Sequence, residues 1–192
     1  MNSAGETYAF NRSFDDASKL IELIKNNDTD AFKNFFYFHQ PGIYKFLFRY
    51  LSDHDAANDL TQDTFISFWT HRNQLDSSLS GKSYLYKIAR NLALNYLSRN
   101  TSSIKKTSVQ KSDLASLINP EEEYEKIFLI DDFQQAVHKL PERCRATFIL
   151  CKYEGFQYSE IAEILDVSLQ TVKNQMNKAL SILKKLLSAH LE

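Results

Sequence analysis

The chain is poor in the residues that form turns and disulfides. Its 192 residues include only 4 Gly, 3 Pro and 2 Cys. Sheet-rich and glycine-rich nucleotide-binding folds need many turn residues, so this scarcity favours helices. Cys144 and Cys151 are seven apart in a predicted helix and form neither a disulfide framework nor a CxxC pair. We therefore expect two reduced thiols in or near the core.

Long apolar runs and an excess of one charge are also missing. No stretch approaches the roughly 20 apolar residues that a membrane span needs. The first 14 residues lack the basic start and apolar run of a signal peptide. The net charge is −1, so the total charge gives no sign of nucleic-acid binding. With 43% hydrophobic residues, including 14 Phe and 10 Tyr, we expect a folded cytoplasmic protein.

Helical periodicity predicts an all-α fold of two small domains joined by a flexible linker. We assign residues 1–14 to a disordered N-terminus, 15–100 to the first domain, 101–120 to the linker and 121–192 to the second domain.

Apolar stripes and capping residues predict the individual helices. In the first domain we place helices over 15–26, 29–51, 53–72 and 81–100, with Asp28 or Thr29 capping the second helix and Ser52 capping the third. We expect a kink or restart at Pro41-Gly42. In the second domain we place helices from Pro120 onward and over 142–153, 159–165 and 168–191.

The second domain contains a helix-turn-helix pattern. Ser159 is the expected cap of a short helix, Asp166 the turn and Ser168 the cap of a longer helix. The inward residues are Ile161, Ala162 and Leu165 of the first helix and Val172, Met176, Ala179, Leu180 and Leu183 of the second. The outward face of the second carries Gln170, Lys173, Asn174, Asn177 and Lys178. Amides can bond adenine edges and Lys can reach guanine or phosphate, which predicts DNA binding; a helical hairpin with a solvated polar face is the alternative.

The predicted helix over 82–99 is basic and has no acidic residue. Its cations are Lys82, Lys87, Arg90 and Arg99, and its aromatic and amide side chains are Tyr84, Tyr86, Asn91, Asn95 and Tyr96. Cations that follow phosphates and aromatics that stack on unpaired bases predict single-strand binding. A core role is the alternative for the tyrosines, and we favour it for Tyr96 but not for Tyr84.

Asp59, Gln62 and Asp63 share a predicted exposed helix face beside the aromatic residues Phe65, Phe68 and Trp69. Two carboxylates four residues apart are compatible with acid–base catalysis or metal binding, but no histidine pair completes such a set. A solvated helix face is the simpler interpretation. We predict no catalytic residue, metal site, cofactor or small-molecule substrate.

Three segments in order resemble the extracytoplasmic-function (ECF) sigma factors of the sigma-70 family. The string Asp59-Leu60-Thr61-Gln62-Asp63-Thr64-Phe65 with Trp69 resembles their polymerase-binding helix, and 84–93 resembles their promoter-melting helix. Leu140-Pro141-Glu142-Arg143, with 160–162 and 168–173, resembles their -35-reading domain. The resemblance covers about Asn27 to Leu187, and the Lys-, Asn- and Phe-rich style is similar to that of Bacteroidetes sigma factors.

The resemblance implies a sigma2-like helical bundle, a sigma4-like helix-turn-helix domain and a non-enzymatic initiation factor. It assigns contacts with the beta and beta-prime subunits of core RNA polymerase to Asp59, Gln62, Asp63, Phe65 and Trp69. It assigns the -10 element to Lys82, Tyr84, Lys87, Arg90, Asn91, Asn95 and Arg99, with a flipped base in the loop over 73–80. It assigns the -35 element to Ser168, Gln170, Thr171, Lys173, Asn174, Asn177 and Lys178. An anti-sigma factor, tethered to the membrane or not, is a further implied partner.

Several positions depart from the family pattern. Tyr84 stands where Trp is common, Asn95 and Ser98 where Asp and Arg are frequent, and Asp166 where a turn Gly is frequent. Asn174 and Asn177 replace usual basic residues, which predicts weaker DNA binding by the second domain alone.

Two other functions compete with the sigma factor. An ordinary helix-turn-helix regulator would explain the second domain but neither the Asp59 motif nor the helix with Tyr84. A helical metal-dependent enzyme would require Asp59 and Asp63 to point inward around an ion.

Overall fold

The structure is a computed structural model that describes residues 14–75, 80–100 and 133–188. Every regular element within these ranges is helical, so the all-α prediction is confirmed. None of the described helices combines the length and apolarity that crossing a membrane requires. The predicted disordered N-terminus, the linker and the helix start at Pro120 lie outside the described residues.

The helices form an N-terminal module (residues 14–100) and a C-terminal module (133–188). The N-terminal module contains α1 (Phe14–Lys25), α2 (Thr29–Leu51), α3 (His54–Thr70), a 3-10 turn (Arg72–Gln74) and α4 (Gly81–Asn100). The C-terminal module contains a helical segment over 133–138, α5 (Glu142–Lys152), α6 (Tyr158–Leu165) and α7 (Leu169–Ser188).

Short polar side chains determine where the helices of the N-terminal module begin. Asp28 caps α2 as predicted, because its carboxylate accepts hydrogen bonds from the backbone N–H groups of Asp30 (3.0 Å) and Ala31 (2.9 Å). The predicted Ser52 cap of α3 is wrong. Ser52 instead ends α2 in the left-handed conformation (φ 55°), and Asp53 caps α3 by accepting from the Ala56 N–H at 3.0 Å.

The predicted restart at Pro41 is also wrong, because α2 continues through that residue. A proline inside a helix costs about 3 kcal/mol or more, since one hydrogen bond is lost and the ring clashes with the preceding turn. Four fully buried side chains follow the proline on the same helix: Ile43, Phe46, Leu47 and Tyr50. Each contributes about 1.5–3 kcal/mol on burial, which offsets the cost.

Aromatic side chains fill the core between α2, α3 and α4. Phe35 on α2 stacks on Phe68 of α3 with ring centroids 4.8 Å apart, and Phe46 meets the edge of Tyr86 on α4 at 5.3 Å. Tyr86 is only 2% exposed, whereas Tyr96, the tyrosine for which a core role was favoured, is half-buried. The Tyr96 hydroxyl donates a hydrogen bond to the Asp53 carboxylate at 2.9 Å.

The helix-turn-helix of the C-terminal module consists of α6 and α7, as predicted. Asp166 makes the turn with φ 55°, and the Ser168 hydroxyl accepts from the Thr171 N–H at 3.1 Å, so it caps α7. The predicted Ser159 cap is wrong: Gln157 precedes α6, and its N–H donates to the Glu160 carboxylate at 2.7 Å.

One member of the predicted apolar stripe on α7 is placed differently. Val172, Met176, Ala179 and Leu183 are buried, but Leu180 is 45% exposed. Leu180 lines an open apolar cleft with Phe133, Phe148 and Leu187 because it lies toward the edge of the stripe. On α6, Ile164 is buried whereas the predicted Ala162 is only half-buried. The predicted buried face is therefore confirmed for most positions and wrong at its edges.

Candidate polymerase and promoter interfaces

The outward face of α3 carries the polar residues that the sequence predicted to be exposed. Asp59, Gln62 and Asp63 are all exposed, and their spacing places them on one side of the helix. Sequence reasoning missed Ile66, which is 63% exposed. Ile66 follows Gln62 by four residues and Asp63 by three, so helical spacing alone would have placed it on this face.

The two aromatic residues assigned to the same interface lie behind it. Phe65 is 2% exposed and packs against Phe36, with ring centroids 4.7 Å apart. Trp69 is half-buried between Phe32 at 4.7 Å and the guanidinium of Arg72 at 4.2 Å. Phe65 thus supports the polar face from the core, whereas Trp69 presents part of its ring at the surface.

A metal-dependent active site has no support in this region. Asp59 and Asp63 point outward instead of converging on an interior position. Across the described parts of the chain, no group of three or more His, Cys, Asp or Glu side chains is arranged to hold a metal ion.

The residues predicted to bind the -10 element divide between two sides of α4. Tyr84, Lys87, Asn91 and Asn95 follow at three- or four-residue intervals and form an outer face, with the exposed Arg99 near the end of the helix. Tyr84 is half-buried because its ring meets Phe68 at 6.0 Å, while Asn91 and Asn95 are exposed. This outer face combines an aromatic ring, a cation and amides.

Lys82 and Arg90 belong to a different side of α4, together with Tyr86. These three residues are spaced by four along α4, and Lys82 and Tyr86 contact the C-terminal module. Lys82 donates a hydrogen bond to the backbone carbonyl of Glu154 at 3.2 Å, and the Tyr86 hydroxyl donates to the Glu154 carboxylate at 2.6 Å. The structure therefore brings together only part of the predicted -10 set.

Besides Ile66, sequence reasoning did not single out His39, which lies on α2 near Lys82 of α4. Burial, followed by the positive charge of Lys82, lowers the pKa of His39 to about 4. Its ring lies 4.4 Å from that of Phe35. The imidazole is therefore neutral at physiological pH and adds no positive charge beside the start of α4.

The outward face of α7 carries the predicted -35 residues without interruption. Those exposed to solvent are Ser168, Gln170, Lys173, Asn174, Asn177 and Lys178, and Thr171 is half-buried. The Gln170 side-chain amide donates to the Asn174 side-chain oxygen at 3.0 Å, so these two neighbours on the face restrain each other. The helix contains four lysines and no acid, so its charge attracts phosphates.

The two modules match separate models of one protein family. Residues 36–103 match Sigma-70 region 2, and residues 130–183 match Sigma-70, region 4. The ECF RNA polymerase sigma factor SigW of Bacillus subtilis is 26% identical over 87% of this chain and 94% of its own length. The ECF sigma factor SigE of Mycolicibacterium smegmatis is 32% identical over 79% of this chain and 60% of its own length.

A solved structure agrees with these sequence matches. The sigma factor RpoE of Bartonella quintana, in complex with the anti-sigma factor NepR, is 25% identical and superimposes with a TM-score of 0.65. The match covers 82% of this chain and 96% of RpoE. The two family models, in order along a chain that ECF sigma factors match over most of its length, show that this protein belongs to the ECF group of the sigma-70 family and is a promoter-directing sigma factor.

Proposed function

We propose that three helix faces divide the work of this sigma factor. The α3 face, with Asp59, Gln62 and Asp63, binds the clamp helices of core RNA polymerase. The outer face of α4 binds the -10 element, and the α7 face reads the -35 element. A single observation supports this division best: two polar faces on separate modules, at α3 and α7, are both exposed among the residues that the structure describes.

The polymerase-binding face is acidic, with an exposed apolar residue at its C-terminal end. Asp59 and Asp63 supply two negative charges, and the exposed Ile66 supplies an apolar contact one turn further on. Interfaces commonly combine charge pairs, which guide encounter, with a desolvated apolar anchor. We propose Ile66 as this anchor, with Phe65 and Trp69 fixing the orientation of α3 from behind.

The DNA-binding faces differ in the form of DNA that they fit. The α4 outer face offers the Tyr84 ring and Lys87, which are suited to an unpaired base and its phosphate. The α7 face offers Gln170, Asn174 and Lys173 on a helix capped by Ser168, which is suited to the major groove. We assign residues 15–100 to melting and -10 binding, and 121–192 to -35 binding, with 101–120 connecting them.

We propose that the protein acts in the cytoplasm and is regulated by an anti-sigma factor. The support for this partner is the likeness to RpoE, which was solved with NepR. The abundance of Phe, with 14 residues, supports an origin among Bacteroidetes sigma factors on composition alone.

Binding to core RNA polymerase that lacks any sigma factor tests the function. A native gel or mass photometry should show a one-to-one complex that competes with a housekeeping sigma factor. An Asp63→Ala variant should bind more weakly by about 2 kcal/mol or more, roughly 30-fold, if the carboxylate is desolvated at the interface. Asp30→Ala, which removes an exposed charge from the start of α2, should bind like the wild type.

The same experiment separates the sigma factor from a helix-turn-helix regulator. A folded sample that forms no complex with polymerase, but binds duplex DNA through α7, would favour the regulator. Equal affinities of the Asp63→Ala and Asp30→Ala variants would reject the assignment of the α3 face while leaving the family membership intact.

A further inference from the structure

The loop between α5 and α6 (residues 153–157) joins the two modules. Glu154 lies at its centre, and its side chain is only 9% exposed. The Glu154 carboxylate accepts a hydrogen bond from the Tyr86 hydroxyl at 2.6 Å and pairs with the Arg49 guanidinium at 3.5 Å. Its backbone carbonyl accepts from the Lys82 ammonium at 3.2 Å. All these partners belong to the N-terminal module.

Aromatic contacts surround this polar centre. Phe156 is 4% exposed, and its ring meets Tyr86 edge-on at 4.9 Å. The Lys82 ammonium lies 4.3 Å from the centre of the Phe156 ring, and the Arg49 guanidinium lies 4.3 Å from that of Tyr153. Two cations of the N-terminal module thus rest on aromatic rings of the C-terminal module.

A second group of polar contacts extends the interface along α5. The Tyr50 hydroxyl donates to the Glu142 carboxylate, and Arg145 donates to the Tyr50 backbone carbonyl at 2.9 Å. His138 and Ser52 lie 3.1 Å apart at its edge. The Arg145 Nε is buried and has no hydrogen-bond partner among the described residues. The interface therefore combines aromatic packing with polar contacts, and one of its buried donors is unsatisfied.

Burial, followed by the negative charge of Glu154, raises the pKa of the Tyr86 phenol, so the hydroxyl stays protonated and donates. When the modules separate, Glu154, Arg49 and Lys82 regain water, which offsets part of the cost of exposing Tyr86 and Phe156. Charged groups that are paired when the modules are closed and hydrated when they are apart suit an interface that opens and closes.

We propose that Glu154 is the centre of a reversible latch that holds the free protein closed and covers Lys82. The latch needs no anti-sigma factor, because both halves belong to this chain. The Glu154 carbonyl and the Phe156 ring hold the Lys82 ammonium against the C-terminal module, so Lys82 must leave these contacts to follow a promoter phosphate. Closure and -10 binding therefore compete. This competition rests on the proposed function, whereas the latch itself does not.

Acetylation of surface amines tests the latch directly in the isolated full chain. The labelling rate of Lys82, read by mass spectrometry, should be lower than that of the exposed Lys45. A Glu154→Lys variant removes the acceptor of the Tyr86 hydroxyl and places a cation against Arg49, so it should open the latch. The Lys82 rate, relative to Lys45, should rise by about tenfold, the effect of losing one hydrogen bond to a charged group.

A matched variant controls for the change in charge. Glu163→Lys makes the same substitution at an exposed site on α6 and should leave Lys82 protected. Small-angle X-ray scattering should show a larger radius of gyration for Glu154→Lys than for Glu163→Lys. Adding Arg49→Glu to Glu154→Lys should partly restore closure. Equal Lys82 rates in both single variants, each folded by circular dichroism, would overturn the latch.

Binding of a fluorescent oligo-dT strand tests the competition. Glu154→Lys should bind this strand more tightly than Glu163→Lys because the open latch frees Lys82. Both variants carry the same net charge, so total charge does not account for a difference. If the latch opens and the two affinities remain equal, the competition is overturned while the latch stands. The polymerase-binding assay reports separately on the proposed function, so failure of one does not imply failure of the other.

Discussion

The α7 face and the α4 face bear similar polar and basic residues, yet the fold treats them differently. Every predicted -35 residue on α7 but Thr171 is exposed. On α4 the predicted -10 residues divide, with Tyr84 packed on Phe68 and Lys82 engaged with Glu154. The α7 face is therefore available in the closed protein, whereas the α4 face is partly used by the fold itself.

The cause of this difference is the number of neighbours that each helix has. The α7 helix packs by one stripe onto α5 and α6, which leaves the opposite side open. The α4 helix packs onto α2 and α3 and also receives the loop before α6, so two of its sides are covered. A helix at the centre of a two-module contact has less surface for DNA, and its DNA residues acquire structural partners.

The exposed α7 face depends on the buried packing beneath it. Disrupting this packing should have the largest effect on the protein. Leu165 at the end of α6 is 5% exposed, so Leu165→Ala should destabilise the C-terminal module by about 2–5 kcal/mol. Leu180→Ala removes a side chain that is 45% exposed and should cost far less. Urea unfolding followed by circular dichroism measures both. A near-neutral Leu165→Ala would contradict the helix-turn-helix packing.

Helix identities and some of the caps could be predicted from the sequence because they depend on local patterns. Asp28, Asp166 and Ser168 each act within a few residues of their own position, and their roles were predicted correctly. The errors at Pro41 and Ser52 have a different origin. Tertiary burial of Ile43 and its neighbours compensates the proline, and the choice between Ser52 and Asp53 depends on where α2 ends.

Loss of base reading by the α7 face should have the second-largest effect. Lys173→Ala with Asn174→Ala should weaken use of the -35 element, since a paired amide–base contact contributes about 1–3 kcal/mol of discrimination. In vitro transcription from one promoter with and without its -35 sequence measures this. Removing the -35 sequence should reduce transcription by the wild type more than by the double variant. An equal reduction for both would show that α7 does not read this element.

Loss of base stacking on the α4 face should have a smaller effect. A conservative variant separates this stacking from the packing of the same ring within the fold. Tyr84→Ala should slow promoter melting, because losing the stacking ring should raise the free-energy barrier by about 1–2 kcal/mol per stacked base. Tyr84→Phe keeps the ring against Phe68 and should melt promoters like the wild type. Permanganate footprinting of the -10 region reports the melting. If Tyr84→Phe is as defective as Tyr84→Ala, the hydroxyl and not stacking is responsible.

The division of the α4 residues could not be predicted from sequence. Periodicity places Lys82, Tyr86 and Arg90 on one side, but nothing local indicates that this side meets Glu154, which is 72 residues from Lys82 along the chain. The exposed face of α3 was predictable because it depends on one helix alone. Residues with partners in the other module can be found only when both modules are seen together.

The smallest effect concerns His39, beside the start of α4. The pKa of His39 is about 4 in the folded protein against the ordinary value of 6.5, so the unfolded chain binds more protons between these values. The contribution of the neutral His39 to the free energy of unfolding should be fully present above pH 6.5 and should fall as the pH decreases toward 4. The slope is at most about 1.4 kcal/mol per pH unit, and less because the ring is partly exposed.

Urea unfolding at pH 7.0 and 5.5 measures this loss. His39→Phe should lose less stability over the interval than the wild type, while His71→Asn, which changes an exposed histidine, should behave like the wild type. His138, whose pKa burial and Arg145 also lower, contributes in the same direction to all three proteins and cancels in the comparison. If His39→Phe keeps the full pH dependence, His39 is not the group whose protonation destabilises the folded protein in acid.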